Sequence, residues 1–178
     1  MKQLLSEDEI RGGIHRLAAQ LTERYRDRPL TVIGVLTGSM VLVADLIRQL
    51  DLPLRVGVIQ VRSYRGAATT PGPLEINDSM LPDIRGRDVL LVDDIFDTGH
   101  TLARLIEQMH ELGPSSLRSA VLLRKLGRQQ VSIEPDYVAF NIPDVFVVGY
   151  GLDYQDAYRH LPYVAALDDD DLAAGPLA

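Results

Sequence analysis

Apolar positions along this chain follow two rhythms, one at helical spacing and one in short unbroken runs, and the two alternate. Behind Ser6, which with Glu9 reads as a capping box, Ile10, Ile14, Leu17, Ala18 and Leu21 recur at helical intervals and predict a helix over residues 7–25, although Gly12-Gly13 lies inside it. TVIGVL (31–36) is an apolar run of the kind buried in parallel sheets, and GSMVLVADLIRQL (38–50) returns to helical spacing through Val43, Leu46, Ile47 and Leu50. LRVGVIQVRSY (54–64) predicts a second strand. Residues 65–82 hold three Pro and two Gly without periodicity, and read as a long mobile excursion. DVLLVD (88–93) is the next strand, and TLARLIEQMHEL (101–112) the next helix, with Leu102, Leu105, Ile106, Met109 and Leu112 on one face and Gly113-Pro114 as its stop. LRSAVLLRK (117–125), DYVAFNI (136–142) and VFVVGYGL (145–152) predict three more strands. This succession is that of an α/β fold, an open, mainly parallel twisted sheet flanked by helices.

Composition narrows the picture. With 178 residues, 46% of them apolar, the chain can bury one core; residues 1–167 read as a single domain, and the acidic end from Asp168 to Ala178 as a flexible, solvated tail. There is no cysteine, no apolar run long enough to span a bilayer, and no signal-peptide pattern in MKQLLSEDEI, so a soluble cytoplasmic protein without membrane contact is expected. A net charge of −7 argues against a general nucleic-acid binder. An anionic ligand would need a local device.

VLLVDDIFDTGHTL (89–102) supplies one. Ligands of such sheets bind at the carboxyl ends of strands, where this run places Asp93, Asp94 and Asp97. The following Asp97-Thr98-Gly99-His100-Thr101 offers consecutive main-chain N–H groups, two hydroxyls and the positive end of a helix dipole, a nest for a phosphate dianion. Asp93 and Asp94 suit either the hydroxyls of a sugar or a hard cation such as Mg²⁺. A phosphorylated sugar satisfies both halves.

The whole string resembles the phosphoribosyl pyrophosphate motif of type I phosphoribosyltransferases, and further motifs resemble the hypoxanthine-guanine branch of that family over most of the chain. LTGS (36–39) is similar to the family's pyrophosphate loop, and Ser63-Tyr64 to the start of its mobile active-site loop. The resemblance implies pyrophosphate binding by Thr37, Gly38, Ser39 and Arg159. It implies purine recognition by Lys125 at the 6-oxo group, Phe146 as stacking ring and Val147 through its main chain, with Asp153 beside them as a Mg²⁺ ligand together with Asp93 and Asp94. Asp97 would be the proton acceptor or donor at purine N7. The implied fold adds a small base-binding hood. The implied reaction moves the phosphoribosyl group from phosphoribosyl pyrophosphate to a 6-oxopurine, hypoxanthine or guanine, in purine salvage, with Mg²⁺ as cofactor and a homodimer or homotetramer as the assembly.

Three positions depart from the family pattern: Asp93 where Glu is usual, Thr37 where lysine is frequent, and SYRG (63–66), which moves a glycine hinge to Gly66. His15, His100, His110 and His160 show no metal-ligand spacing. Two rival readings belong to other classes. An RNA-binding regulator on the same fold would need a basic face, and a phosphoacceptor receiver domain would carry its acid pair after the first strand.

Overall fold

In the computed structural model of the chain, which describes residues 1–63 and 74–176, the capping box at Ser6 is formed. The Glu9 main-chain N–H donates to Ser6 Oγ at 3.3 Å, and the Ser6 N–H donates to Glu9 Oε2 at 2.8 Å. These contacts open α1 (Glu7–Arg24), whose Ile10, Ile14, Leu17, Ala18 and Leu21 are buried as the spacing requires. Gly13 lies on the same face. A Cβ there would fall 2.2 Å from Phe140 Cζ, so the glycine sacrifices helix propensity to let a strand approach.

The main sheet has the order β4 (Leu74–Asn77), β3 (Leu54–Ser63), β2 (Leu30–Leu36), β5 (Asp88–Phe96), β6 (Ser116–Lys125) and β7 (Tyr137–Ile142). Every neighbouring pair is parallel except β3 with β4. Leu90 and Val92 of β5 join the core layer under α1 and α2 (Met40–Ile47), whereas Val89 and Leu91 join the layer under α3 (His100–Glu111). Cover on both faces explains why these strands are continuous apolar runs instead of alternating ones. A second, antiparallel sheet joins β1 (Lys2–Leu5), β9 (Val164–Leu167) and β8 (Phe146–Val148) in the order β1-β9-β8, the hood that the family resemblance implied.

Four readings of the sequence are corrected here. The 65–82 segment is not all excursion, since β4 pairs antiparallel with β3 (Val61 opposite Ile76); residues 64–73, with Tyr64 and Gly66, lie outside the described residues. The strand expected over 145–152 stops at Val148, because Gly149, Tyr150 and Gly151 all have positive φ. It also leaves the main sheet for the hood. β1 and β9 went unread, being four residues each and paired only with distant chain. Finally, the segment taken as a frayed tail carries α4 (Asp169–Ala174). Asp168 and Asp171 cap it reciprocally, and the Tyr154 hydroxyl donates to Leu172 O at 2.9 Å. Among the described residues no helix is long and apolar enough to cross a membrane.

Candidate active site

β2 is followed by α2 on one face of the sheet and β5 by α3 on the other, and the two strands are direct parallel neighbours (Gly34 opposite Val92). Their carboxyl ends therefore diverge at a topological switch point, where open α/β sheets bind ligands. A cleft of about 310 Å³ opens there. Into it come Thr37 and Gly38 from the end of β2, Asp93, Asp94 and Asp97 from β5, Thr98, Gly99 and Thr101 at the head of α3, and Asp153 and Arg159 from the turns after β8. Most of the residues singled out by sequence thus meet in one place.

The head of α3 has the form an anion site needs. Gly99 is the N-cap at φ +90°, in the left-handed region, and no side chain caps the helix, so the first-turn amides that lack intrahelical partners are free to serve a ligand. His100 contributes main chain to this turn. Its imidazole turns away to Gln130 Oε1 at 3.1 Å.

The acid pair is strained electrostatically. Asp93 is buried, and burial, reinforced by the charge of Asp94, pushes its carboxyl well above the ordinary range; one of its oxygens accepts the Asp94 main-chain N–H at 2.9 Å. Burial raises Asp94 as well, against the lowering effects of Asp93 and Arg159. Asp94 Oδ2 also occupies the space beside Gly38, 1.6 Å from where a Cβ on that residue would lie, so any other residue there would displace the carboxylate. Because the folded state holds the Asp93 proton to higher pH than the unfolded chain does, this group's contribution falls as pH rises from the ordinary carboxylate range through the raised value. Asp93→Asn removes the cost. The variant is expected to be more stable than the parent by on the order of 1 kcal/mol above that range, with a flatter pH dependence of Tm. Parallel Tm-against-pH curves for the two proteins would contradict this.

Asp97 has the opposite environment. Burial pushes its carboxyl up, but hydrogen bonds from Arg128 and Lys125 outweigh that and hold it below the usual carboxylate range. Arg128 Nε donates to Oδ1 at 3.0 Å and Lys125 Nζ to Oδ2 at 3.1 Å, while Asp144 stands 3.8 Å from the lysine and 3.6 Å from the arginine. Arg128 and Asp144 were missed by sequence reasoning. The available signal was Leu126-Gly127-Arg128 directly after Lys125: Gly127 at φ +77° turns the chain back on itself.

The remaining expected residues divide. Arg159 donates through Nη1 to Gly151 O at 2.8 Å and pairs through Nη2 with Asp153 Oδ1 at 2.8 Å. Phe146 is 38% exposed with its ring edge-on to Tyr154, so it is not a core aromatic, and Val147 is buried in the hood opposite Ala166. Lys125, Phe146 and Val147 do not line the cleft itself; Lys125 reaches it through Asp97. Ser39 departs from expectation. It is fully buried, and both its hydroxyl, at 2.6 Å, and its main-chain N–H, at 3.4 Å, donate to Val35 O, so its side chain holds the turn into α2 and leaves the ligand side to Thr37 and Gly38. Ser63 ends β3, and Tyr64 lies outside the described residues.

The donors available for a metal are all carboxylate oxygens, suited to a hard cation. Among the described residues no three His, Asp or Glu side chains converge to hold one.

Comparison with known proteins identifies the family. The phosphoribosyl transferase domain family model matches residues 1–155. The chain is 42% identical over 164 residues to a hypoxanthine-guanine phosphoribosyltransferase of Staphylococcus epidermidis, covering 92% of each protein. Among solved structures it is similar to a hypoxanthine phosphoribosyl transferase of Trypanosoma cruzi (TM-score 0.90, 38% identity, 97% of this chain and 94% of that one). It is also similar to a hypoxanthine-guanine phosphoribosyltransferase of Bacillus anthracis (TM-score 0.89, 34% identity, 94% and 99%).

Proposed function

Since the chain belongs to the phosphoribosyltransferase family, in its hypoxanthine-guanine branch, we propose that the switch-point cleft transfers the 5-phosphoribosyl group of phosphoribosyl pyrophosphate to a 6-oxopurine. The products are IMP or GMP and pyrophosphate, a reaction of purine salvage. The observation that carries this reading is the meeting, in one cleft, of an uncapped helix head, a buried acid pair and an aspartate bonded to a lysine.

Each group then has a task. The amides of Thr98 to Thr101 and the two Thr hydroxyls take the 5-phosphate. Asp93 and Asp94 accept hydrogen bonds from the ribose hydroxyls. Thr37, Gly38 and Arg159 face the pyrophosphate, whose leaving charge must be neutralised as C1 of the sugar becomes cation-like. Lys125 donates to the purine 6-oxo group, Phe146 stacks on the ring, and Val147 meets the base through its main chain. Adenine is rejected because its 6-amino group would oppose the ammonium and leave it unpaired. As purine N9 bonds to C1 and pyrophosphate departs with the bonding electrons, Asp97 accepts the N7 proton. One or two of the carboxylates of Asp93, Asp94 and Asp153 would hold Mg²⁺, which would supply further neutralisation of phosphate charge. Residues 1–167 act as one transferase domain. A homodimer or homotetramer is the assembly that family membership implies, and the described T. cruzi relative is one whose C-terminal region bears on its oligomeric state.

An assay of the protein with phosphoribosyl pyrophosphate, Mg²⁺ and each of hypoxanthine, guanine, xanthine, adenine and uracil tests the reading. Turnover is expected with hypoxanthine and guanine, little with adenine and none with uracil. Uracil turnover, or inactivity with both 6-oxopurines, would overturn it. The RNA-binding alternative has no observation in its favour.

A further inference from the structure

The turn after β6 lies against the outer side of the nest along most of its length. Leu126 N–H donates to Ile142 O at 2.9 Å, and Gly127 at φ +77° reverses the chain so that Arg128 comes back to Asp97. Two residues on, Gln130 N–H donates to Thr98 O at 2.9 Å, and its side chain meets the His100 ring. Val131 fills the space beside Gly99, where a Cβ would lie 2.4 Å from Val131 Cγ2. Around Asp97 itself stand Lys125 from the end of β6, Arg128 from this turn, and Asp144 from the connection after β7. The two cations divide the carboxylate between them, one on each oxygen.

We propose that Arg128 is a positioning residue of the transfer reaction: it holds Asp97 by Oδ1 while Lys125 leaves Oδ2 for the 6-oxo group of the incoming purine. This rests on the reading of Asp97 as the group that takes the N7 proton. The Lys125 ammonium has three N–H groups, yet as long as one of them is held by Oδ2 that oxygen is a poorer proton acceptor. When it turns to the base, the oxygen it releases is the one left free to receive a proton. Without a second anchor the carboxylate would be released at the moment it must be aimed, and misplacement on the scale of 1 Å is costly to a transfer step. Arg128 provides that anchor, and Asp144 keeps the two cations from facing each other unscreened. The proton moves from N7 to Oδ2 as the N9–C1 bond forms and the C1–O bond to pyrophosphate breaks, so charge and atoms balance with no further reactant.

Steady-state kinetics and thermal unfolding of Arg128→Ala, Arg128→Lys, Asp97→Asn and the Arg128→Ala/Asp97→Asn double variant test this in the full chain. Arg128 is about half exposed, and such ion pairs add little to folding, so Arg128→Ala should keep the parental Tm. Its kcat with hypoxanthine should fall about 10- to 100-fold, with KM for phosphoribosyl pyrophosphate nearly unchanged. Arg128→Lys should recover most of the rate, and in the double variant the loss of Arg128 should add nothing to the loss of Asp97. Parental kcat in Arg128→Ala, additive losses, or a fall in Tm that accounts for the lost activity would each overturn the inference while leaving the assignment of Asp97 standing. Full activity of Asp97→Asn would remove both.

Discussion

Asp97→Asn is expected to lower kcat by about 10² to 10⁴-fold while changing KM for phosphoribosyl pyrophosphate far less. The geometry makes this variant informative. Both carboxylate oxygens accept, one from Arg128 and one from Lys125. An amide of the same shape keeps one acceptor and turns its NH₂ toward a cation, so it loses the proton acceptor and also repels one of its two anchors. The parent's pH dependence follows from the same contacts. Although burial pushes Asp97 up, Arg128 and Lys125 hold its carboxyl below the ordinary range, so it is ionised at and above neutrality. The acid limb of kcat/KM, which reports the free enzyme, should fall only as pH drops through that lowered value. Undiminished single-turnover rates in the variant would remove the assigned role.

Gly151→Ala is the second large effect, and it arises from backbone alone. Gly151 has φ +98°, and a Cβ there would lie 2.1 Å from the carbonyl oxygen of Gly38. Gly38 in turn leaves the room for its own Cβ to Asp94 Oδ2, 1.6 Å from where that atom would lie. The hood turn, the pyrophosphate loop and the acid pair are therefore stacked with no slack, and a single methyl must move one of them. We expect a loss of about 2 to 4 kcal/mol, combining positive-φ strain with overpacking, and a KM for phosphoribosyl pyrophosphate raised tenfold or more. Gly86→Ala is the control. That glycine also has positive φ, at +68°, but nothing lies within 4 Å of its missing Cβ, so only the conformational cost of roughly 1 kcal/mol should appear. Equal denaturation midpoints for the two variants would sink the stacking argument.

What could be read from sequence was what repeats locally. The helix α1 announces itself through its capping box and 3.6-residue spacing, α3 through the same spacing and its Gly113-Pro114 stop, and β2, β5 and β6 through apolar runs that only a sheet covered on both faces can bury. The nest and acid pair were legible for the same reason, since one unbroken stretch from Val89 to Leu102 carries strand, carboxylates and helix head. What depended on distant partners was not. β1 and β9 are four residues each, and they become strands only by pairing, β1 with β9 and β9 with β1 and β8. Ser39 looked like a ligand contact because of its loop, yet its hydroxyl bonds to Val35, a contact visible only once the turn is built. Arg128 was overlooked because Gly127, the residue that returns it to Asp97, gives no hint by itself of where the reversed chain will point.

The pairing of Lys2 with Ala166 spans nearly the entire chain, and it sets the order in which a growing polypeptide can become competent. A contact closed over so many intervening residues has a large closure entropy and forms late. On the ribosome, the strands and helix head proposed to grip the sugar phosphate are finished well before β9 emerges to join the first strand to β8. The wall bearing Phe146 is therefore assembled last, so nascent chains should bind the phosphorylated sugar before they can hold a purine against it.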